Sequence, residues 1–466
     1  PKPFPFFGNI FSSWTYRENL VYEFDKIYKK FKSYNVAGFF MIRDPILLII
    51  DSALIKQILI KNFKNFQNNT FGDFVERDTD LLIGRNPFVL PGDEWKNVRS
   101  ELTVGFTSSK IKSQAGVIEE VCRKLLEYIS KRSDSGKNAF DARDLCSRYT
   151  ADVVSDCIYG VDAGSFKYTE PDILHHGRQV FKLSTKFLVY TAITALFPIV
   201  KTICKIPIMP KATQEFFLNL TENSIDYRKK QANERNDFLD YLIKLREKTN
   251  HPYLQLAAYG NAFFIDGFES SSLFMAFTLF ELAKDQEVQN KLREEILEFI
   301  ESGAKIDIDS VGELPYFDRV IYESLRMHPI VSSLGKICTE PITLTAGNGE
   351  EIHFETGMVA LIPTYSVHYD TRNYVEPHKF NPDRFDGDRF KEFRENCVLL
   401  PFGDGPRMCL GMRFALAQIK RGIFEVIRNY KVTLNDKTPK NVLYDPHNFL
   451  ILLPKNKLFL DFVSLR

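Results

Sequence analysis

The chain has 466 residues, 44 % hydrophobic and 26 % charged, with a formal net charge of +1. That balance is globular and excludes wholesale disorder; it gives no global attraction to nucleic acid or to an anionic membrane, so any basic face must be local. Seven scattered cysteines without a C-x-x-C pair exclude a disulfide framework and a zinc module and favour a reducing compartment.

The opening PKPFPFFGNI is a proline-rich lead-in with restricted backbone freedom, not a signal peptide. Short apolar runs that stop at turn residues, as in FFMIRDPILLIID, predict a β-rich start. EWKNVR sets Trp95 and Arg99 at i,i+4 on a predicted helix. Over 114–132, Val117, Val121, Leu125, Leu126 and Ile129 recur at helical period. Residues 187–200, FLVYTAITALFPIV, are too few to span a bilayer and suit either a lid over the core or an interfacial segment. No run of eighteen apolar residues occurs, so no spanning helix is expected.

A long apolar-rich helix is predicted over 253–284, containing FFIDGFESSS. Gly267 within it costs about 1 kcal/mol relative to alanine, so either close packing or function must ask for it. ESLR places Glu323 and Arg326 on one face of a helix that ends at His328, before Pro329. KICTEPITLTAGNGEEIHF reads as short strands about a turn at Gly347, Asn348 and Gly349. A third helix is predicted over 412–430, then terminal strands. With no repeat and no linker, residues 1–466 are expected to form one mainly α domain with small β-sheets.

The stretch LPFGDGPRMCLGMRFA carries Phe402, Gly405, Arg407, Cys409 and Gly411 at the spacing F-x-x-G-x-R-x-C-x-G. Its glycines let the backbone fold tightly and approach a bulky flat ligand. Cys409 lies just before a helical run, whose free N–H groups and dipole favour thiolate over thiol, and Arg407 adds a positive charge two residues away. A lone cysteine is usually an apolar filler. Here a single thiolate without nearby histidine or cysteine partners suits haem iron better than tetrahedral zinc.

At these residues the sequence resembles the haem-thiolate monooxygenases, the cytochromes P-450, and its texture is similar to animal microsomal members, particularly insect ones. The resemblance implies the cytochrome P-450 fold, with heme b (iron protoporphyrin IX) between the central helix and the ligand loop and Cys409 as the axial metal ligand. It implies that Arg384 of FNPDRF joins Glu323 and Arg326 in a buried network of structural role. It implies that Trp95 and Arg99 bond a haem propionate, and Lys336 stands where relatives usually carry another propionate-binding arginine; lysine keeps the charge and loses the bidentate geometry. Phe402, Arg407 and Gly411 complete the cofactor-binding set.

In the central helix the family pattern gives the glycine, here Gly267, room for dioxygen and gives the acid and hydroxyl, here Glu269 and Ser270, the proton relay; Asp266, an acid one turn before Ser270, either compensates in that relay or makes a structural hydrogen bond. This chain departs from it twice: Asp266 replaces a small residue, and Ser270 replaces threonine, losing the methyl that stiffens χ1. The expected reaction inserts one atom of dioxygen into a lipophilic small molecule. No G-x-G-x-x-G fingerprint is present, since Gly403-Asp404-Gly405 runs on to Met408, so electrons are expected from a partner. The resemblance implies NADPH-cytochrome P-450 reductase, with cytochrome b5 as a second candidate donor, at the endoplasmic reticulum membrane on its cytoplasmic face, the N-terminal anchor lying outside this chain. Arg413, Lys420, Arg421, Arg428 and Lys431 are read as either a solvated face or a steering surface for an acidic reductase. Pocket walls are expected before Trp95, around Phe187 to Pro210, at Val331 to Leu334 and at His447 to Leu450. An isomerase or dehydratase working without dioxygen, and a haem-based sensor without turnover, are the competing readings.

Overall fold

The apolar pattern of the central helix is realised over Tyr253–Lys284, and from Ser271 to Ala283 every residue is buried. A helix that is apolar all round has no face to give to water, and this one is wrapped by Ala142–Tyr159, Lys211–Lys229, Pro315–Met327 and Met412–Asn429. The expectation that no helix is apolar enough to span a bilayer needs correction: Tyr253–Lys284 qualifies by length and by a mean hydropathy of 1.2. Because 78 % of that apolar stretch is buried within the protein, it is a core helix.

This computed structural model describes residues 1–465 apart from residues 6, 137, 168 and 232–234. The helix expected over 114–132 forms over Ala115–Asp134, and the one expected over 412–430 forms over Met412–Asn429. FFMIRDPILLIID folds as a hairpin of Val36–Met41 and Asp44–Ile49, closed where Met41 faces Asp44. These strands begin a five-stranded sheet that continues through Val359–Ile362, Leu334–Ile337 and Asn68–Asn69. The pairing of Asp44–Ile49 with Val359–Ile362 is parallel and the rest are antiparallel. A second sheet joins Ala139–Asp141, Phe459–Ser464 and Tyr430–Leu434. The Gly347–Gly349 turn connects Ile342–Thr345 to Glu351–Phe354, with Gly349 at φ 87°.

One hydrophobic core surrounds the central helix and another lies under the five-stranded sheet. A third, small cluster of Phe187, Tyr190 and Ile208 packs with Phe71, Val75 and Phe449, forming a cap. Of the two sequence readings of 187–200, the lid is the one seen in this cap. Phe187 and Tyr190 turn into the cap, while Val189, Phe197, Ile199 and, beyond that stretch, Ile203 are exposed.

The cap is tied down by Asp80, whose fully buried carboxylate accepts from the backbone N–H groups of Ile208 and Met209, both at 3.0 Å. Gln214 adds bonds to Thr79 O at 2.9 Å and from Leu81 N at 2.8 Å. Burial outweighs these donors and pushes the Asp80 carboxyl from 3.8 up to about 6. Between those values the folded chain holds a proton that the unfolded chain has lost, so this group makes stability fall as pH rises from about 4 to about 6. Asp80→Asn is expected to flatten that part of the stability curve, measured by chaotrope unfolding of the wild-type and variant proteins across pH 4–6.5.

Candidate active site

Between Leu256 and Ala283 only Phe263, Asp266, Gly267 and Ser270 escape full burial. Their spacing, i, i+3, i+4, i+7, is one face of a helix, so the central helix presents a single stripe to open space. Cys409 likewise keeps accessible surface, and its desolvated thiol lies near enough to Asp266 to feel that carboxylate's charge. Exposure together with strong desolvation places Asp266 and Cys409 in a recess of the protein rather than on its outer surface. Gly267 is not demanded by packing, since a Cβ there would meet Val154 at an ordinary 3.7 Å. Its lack of a side chain instead leaves room on the stripe.

The ligand loop is built by local hydrogen bonds. Cys409 N donates to Phe402 O at 2.9 Å, Gly403 N to Leu400 O at 3.1 Å, and Met408 N to Gly405 O at 3.0 Å. Gly405, at φ 70°, has to be glycine, because a Cβ would lie 2.0 Å from Leu59 O. Gly411 is the N-cap of Met412–Asn429, and the N–H groups of Gly411 and Met412 point at Cys409, as the sequence pattern predicts.

Two expectations about this loop need correction. Burial is the largest influence on the Cys409 thiol and, with the Asp266 charge, outweighs the backbone donors and Arg99, pushing it up to about 11. A metal cation bound at Cys409 would favour the thiolate against this burial. Arg407 is also not the charge beside the sulfur. Its guanidinium bonds Gln67 O at 3.0 Å, Pro87 O at 3.0 Å and Leu90 O at 2.7 Å, and lies 4.0 Å over the Trp95 ring. The positive neighbour of Cys409 is Arg99.

Arg99, Lys336 and Arg407 form a set of cations without a carboxylate partner among the described residues. Burial and the neighbouring Arg407 push Lys336 down to about 7, and its Nζ donates to Asn69 Oδ1 at 2.7 Å. Burial and Arg99 pull Arg407 down to about 9, and burial lowers Arg99. Desolvated cations pressed toward neutrality want anions, and two carboxylates on a flat apolar ring system supply them. With Trp95, Phe402 and Gly411 around the same loop, the residues fit haem: Cys409 would hold its metal, and Arg99 and Lys336 would hold its propionates.

The rest of the predicted set divides. Asp266 accepts from Asn86 Nδ2 at 3.3 Å, and burial pushes its carboxyl up to about 6. Ser270 donates its hydroxyl back to Asp266 O, one turn earlier. Glu269 lies off the stripe, fully buried, with Oε1 receiving Arg143 Nε at 2.7 Å. Lys420 and Arg421 are not on a docking face: Lys420 is buried on Gly312 O and Asp318, and Arg421 on Glu425.

Behind the loop, Glu323, Arg326 and Arg384 meet as expected. Arg326 binds both Glu323 oxygens, at 2.7 and 2.9 Å, and Arg384 Nε reaches them at 3.1 and 3.2 Å. Sequence reasoning missed His368. It is fully buried, its Nδ1 lies 3.0 Å from Arg326 O, and Leu400 N donates to its Nε2 at 2.9 Å. No spacing rule links residue 368 to 400; only the isolated histidine in SVHYD hinted at it.

The cytochrome P450 family model matches residues 1–462. The chain belongs to that family. It is 37 % identical to "Probable cytochrome P450 28d2" of Drosophila melanogaster over 99 % of this chain and 92 % of that protein. It is 35 % identical to "Probable cytochrome P450 28a5" of the same fly over 100 % of this chain and 93 % of the relative. Against "Probable cytochrome P450 6a14", also from the fly, identity is 33 % over 91 % of this chain and 86 % of that protein. The P450 fold, heme b held by a cysteine thiolate, and oxidoreductase chemistry of the monooxygenase type follow for this P450.

Deleting the shared carboxylate strands two buried guanidinium groups. Glu323→Ala is expected to lose about 3–5 kcal/mol, measured as the shift in chaotrope unfolding of the haem-loaded protein.

Proposed function

We propose that this P450 inserts one oxygen atom of dioxygen into a lipophilic substrate, using NADPH electrons delivered by a partner flavoprotein reductase at the cytoplasmic face of the endoplasmic reticulum. The carrying observation is the recess that holds Cys409 near the Asp266–Gly267–Ser270 stripe. Haem, when bound to Cys409, supplies the reductive activation of dioxygen.

The chain's own residues do the rest. Arg99 and Lys336 hold the propionates, Arg407 fixes the Trp95 ring and the loop at Pro87 to Leu90, and Gly267 keeps the stripe open. Asp266, whose carboxyl is pushed up to about 6 and whose main-chain oxygen accepts the Ser270 hydroxyl, would hold or release a proton near neutral pH on the stripe. Glu269 acts from behind the stripe, fastening the central helix to Arg143 of Ala142–Tyr159. The apolar cap and walls exclude water and favour a lipophilic molecule.

Arg413, exposed at the start of the ligand-loop helix, and Lys431, exposed past its end, remain available to an acidic reductase or to cytochrome b5. The exposed apolar face of Phe197, Ile199 and Ile203, 61, 66 and 80 % accessible, suits contact with a bilayer surface.

Cys409→Ser is expected to abolish turnover; monooxygenation by a haem-loaded serine variant would remove the cysteine from its role. Ser270→Ala is expected to raise NADPH consumed per product formed, read from parallel assays of NADPH, dioxygen and product, and an unchanged ratio would refute the relay. Product formed without dioxygen uptake in the wild type would instead establish the isomerase or dehydratase reading.

A further inference from the structure

We propose that His368 is a positioning residue that suspends the Cys409 loop from the buried ion cluster, and that its acceptor nitrogen, rather than its bulk, does so. The ring lies between two partners whose chemistry fixes its tautomer. Leu400 N–H can only donate, so Nε2, 2.9 Å away, accepts and carries no proton. Nδ1 then bears the hydrogen and donates to Arg326 O at 3.0 Å. Burial and the Arg326 guanidinium push the imidazole down to about 3, so this neutral tautomer persists at every working pH.

The connection runs both ways. Arg326 Nη1 donates to His368 O at 2.8 Å, so residue and ring are held by the same arginine whose other N–H groups bind Glu323. Leu400 begins the turn that continues through Gly403, and Phe402 O receives Cys409 N. Tyr374 assists one step earlier, its hydroxyl donating to Val398 O at 2.9 Å while Arg326 lies 5.0 Å over its ring. His368 is the one described side chain that binds both the backbone of the Glu323 helix and the backbone at the start of the ligand loop. Without its acceptor, Leu400 N–H is a buried donor left unpaired, and the loop moves to find a partner.

Three substitutions separate this role from simple filling of space. His368→Phe keeps the ring volume and loses both bonds. Asn and Gln each restore one: an asparagine amide reaches the Nδ1 position and donates to Arg326 O, whereas a glutamine carbonyl reaches the Nε2 position and accepts from Leu400 N–H. The haem-loaded variants are compared by amide hydrogen exchange and by the ferrous carbonyl absorption, which distinguishes thiolate from thiol or imidazole ligation. We expect Leu400 exchange about 10-fold faster in the Phe and Asn variants, the loss of one buried bond, with a reduced thiolate-type carbonyl fraction. The Gln variant is expected to restore both. Equal behaviour of Asn and Gln, or a Phe variant matching the wild type, overturns the proposal. The inference rests on the haem-thiolate reading; a wild-type protein lacking the thiolate-type carbonyl refutes that reading and this role together, whereas a normal wild type beside an unaffected Phe variant refutes only the suspension.

Discussion

The buried carboxylate of Glu323 is the constraint on which the proximal half of the molecule depends. A charge removed from water must find every partner inside the protein, and this one takes two arginines and the backbone N–H of Asn381 at 2.9 Å. The arginines carry more donors than Glu323 can accept, and the surplus goes to carbonyls of His368, Val375, Glu376, Pro377 and Lys379. One ionised group thereby fixes the irregular chain from 368 to 384, a stretch with little regular secondary structure of its own. Through the His368 ring and the Tyr374 hydroxyl the order passes to Val398 and Leu400, and so to the loop that presents Cys409.

The cofactor side follows the opposite logic. Where the Glu323 cluster satisfies each charge, Arg99, Lys336 and Arg407 are desolvated without anions, and all three are pulled toward their neutral forms. Such a deficit weakens the polypeptide by itself and is recovered when a carboxylate-bearing ligand arrives. The first cluster is complete within the polypeptide, and the second is not.

Much of this was legible in the sequence. The central helix, the Ala115–Asp134 helix and the first hairpin follow from apolar periods strong enough to survive tertiary packing, and the ligand loop and E-x-x-R helix from residue types few other structures require together. What escaped was direction. Glu269 sits two residues past Gly267, about 200° around a helix, so its place in a chemical motif did not place it on the Gly267 face; it turned to Arg143. Lys420 and Arg421 looked like a basic surface because sequence charge carries no sign of burial; both are buried, Lys420 against the partly exposed Asp318 and Arg421 against the buried Glu425. Arg407 was read through its two-residue distance from Cys409, yet its fork matched three backbone carbonyls better. His368 escaped because it bridges segments far apart in the chain.

The stripe on the central helix ties these threads together. Burial raises the proton affinity of both Asp266 and Cys409, and the Asp266 charge raises that of Cys409 further, so the protein by itself disfavours negative charge there. The same low dielectric disfavours positive charge at Lys336 and Arg407. A polypeptide that resists both signs in one recess is complementary to a ligand bringing both: a metal cation to draw the proton from sulfur, and peripheral carboxylates to recharge the bases. Heme b has that distribution. The departure at Asp266 puts on this stripe a carboxyl whose affinity burial moves to about 6, where a small apolar residue would carry no titratable proton.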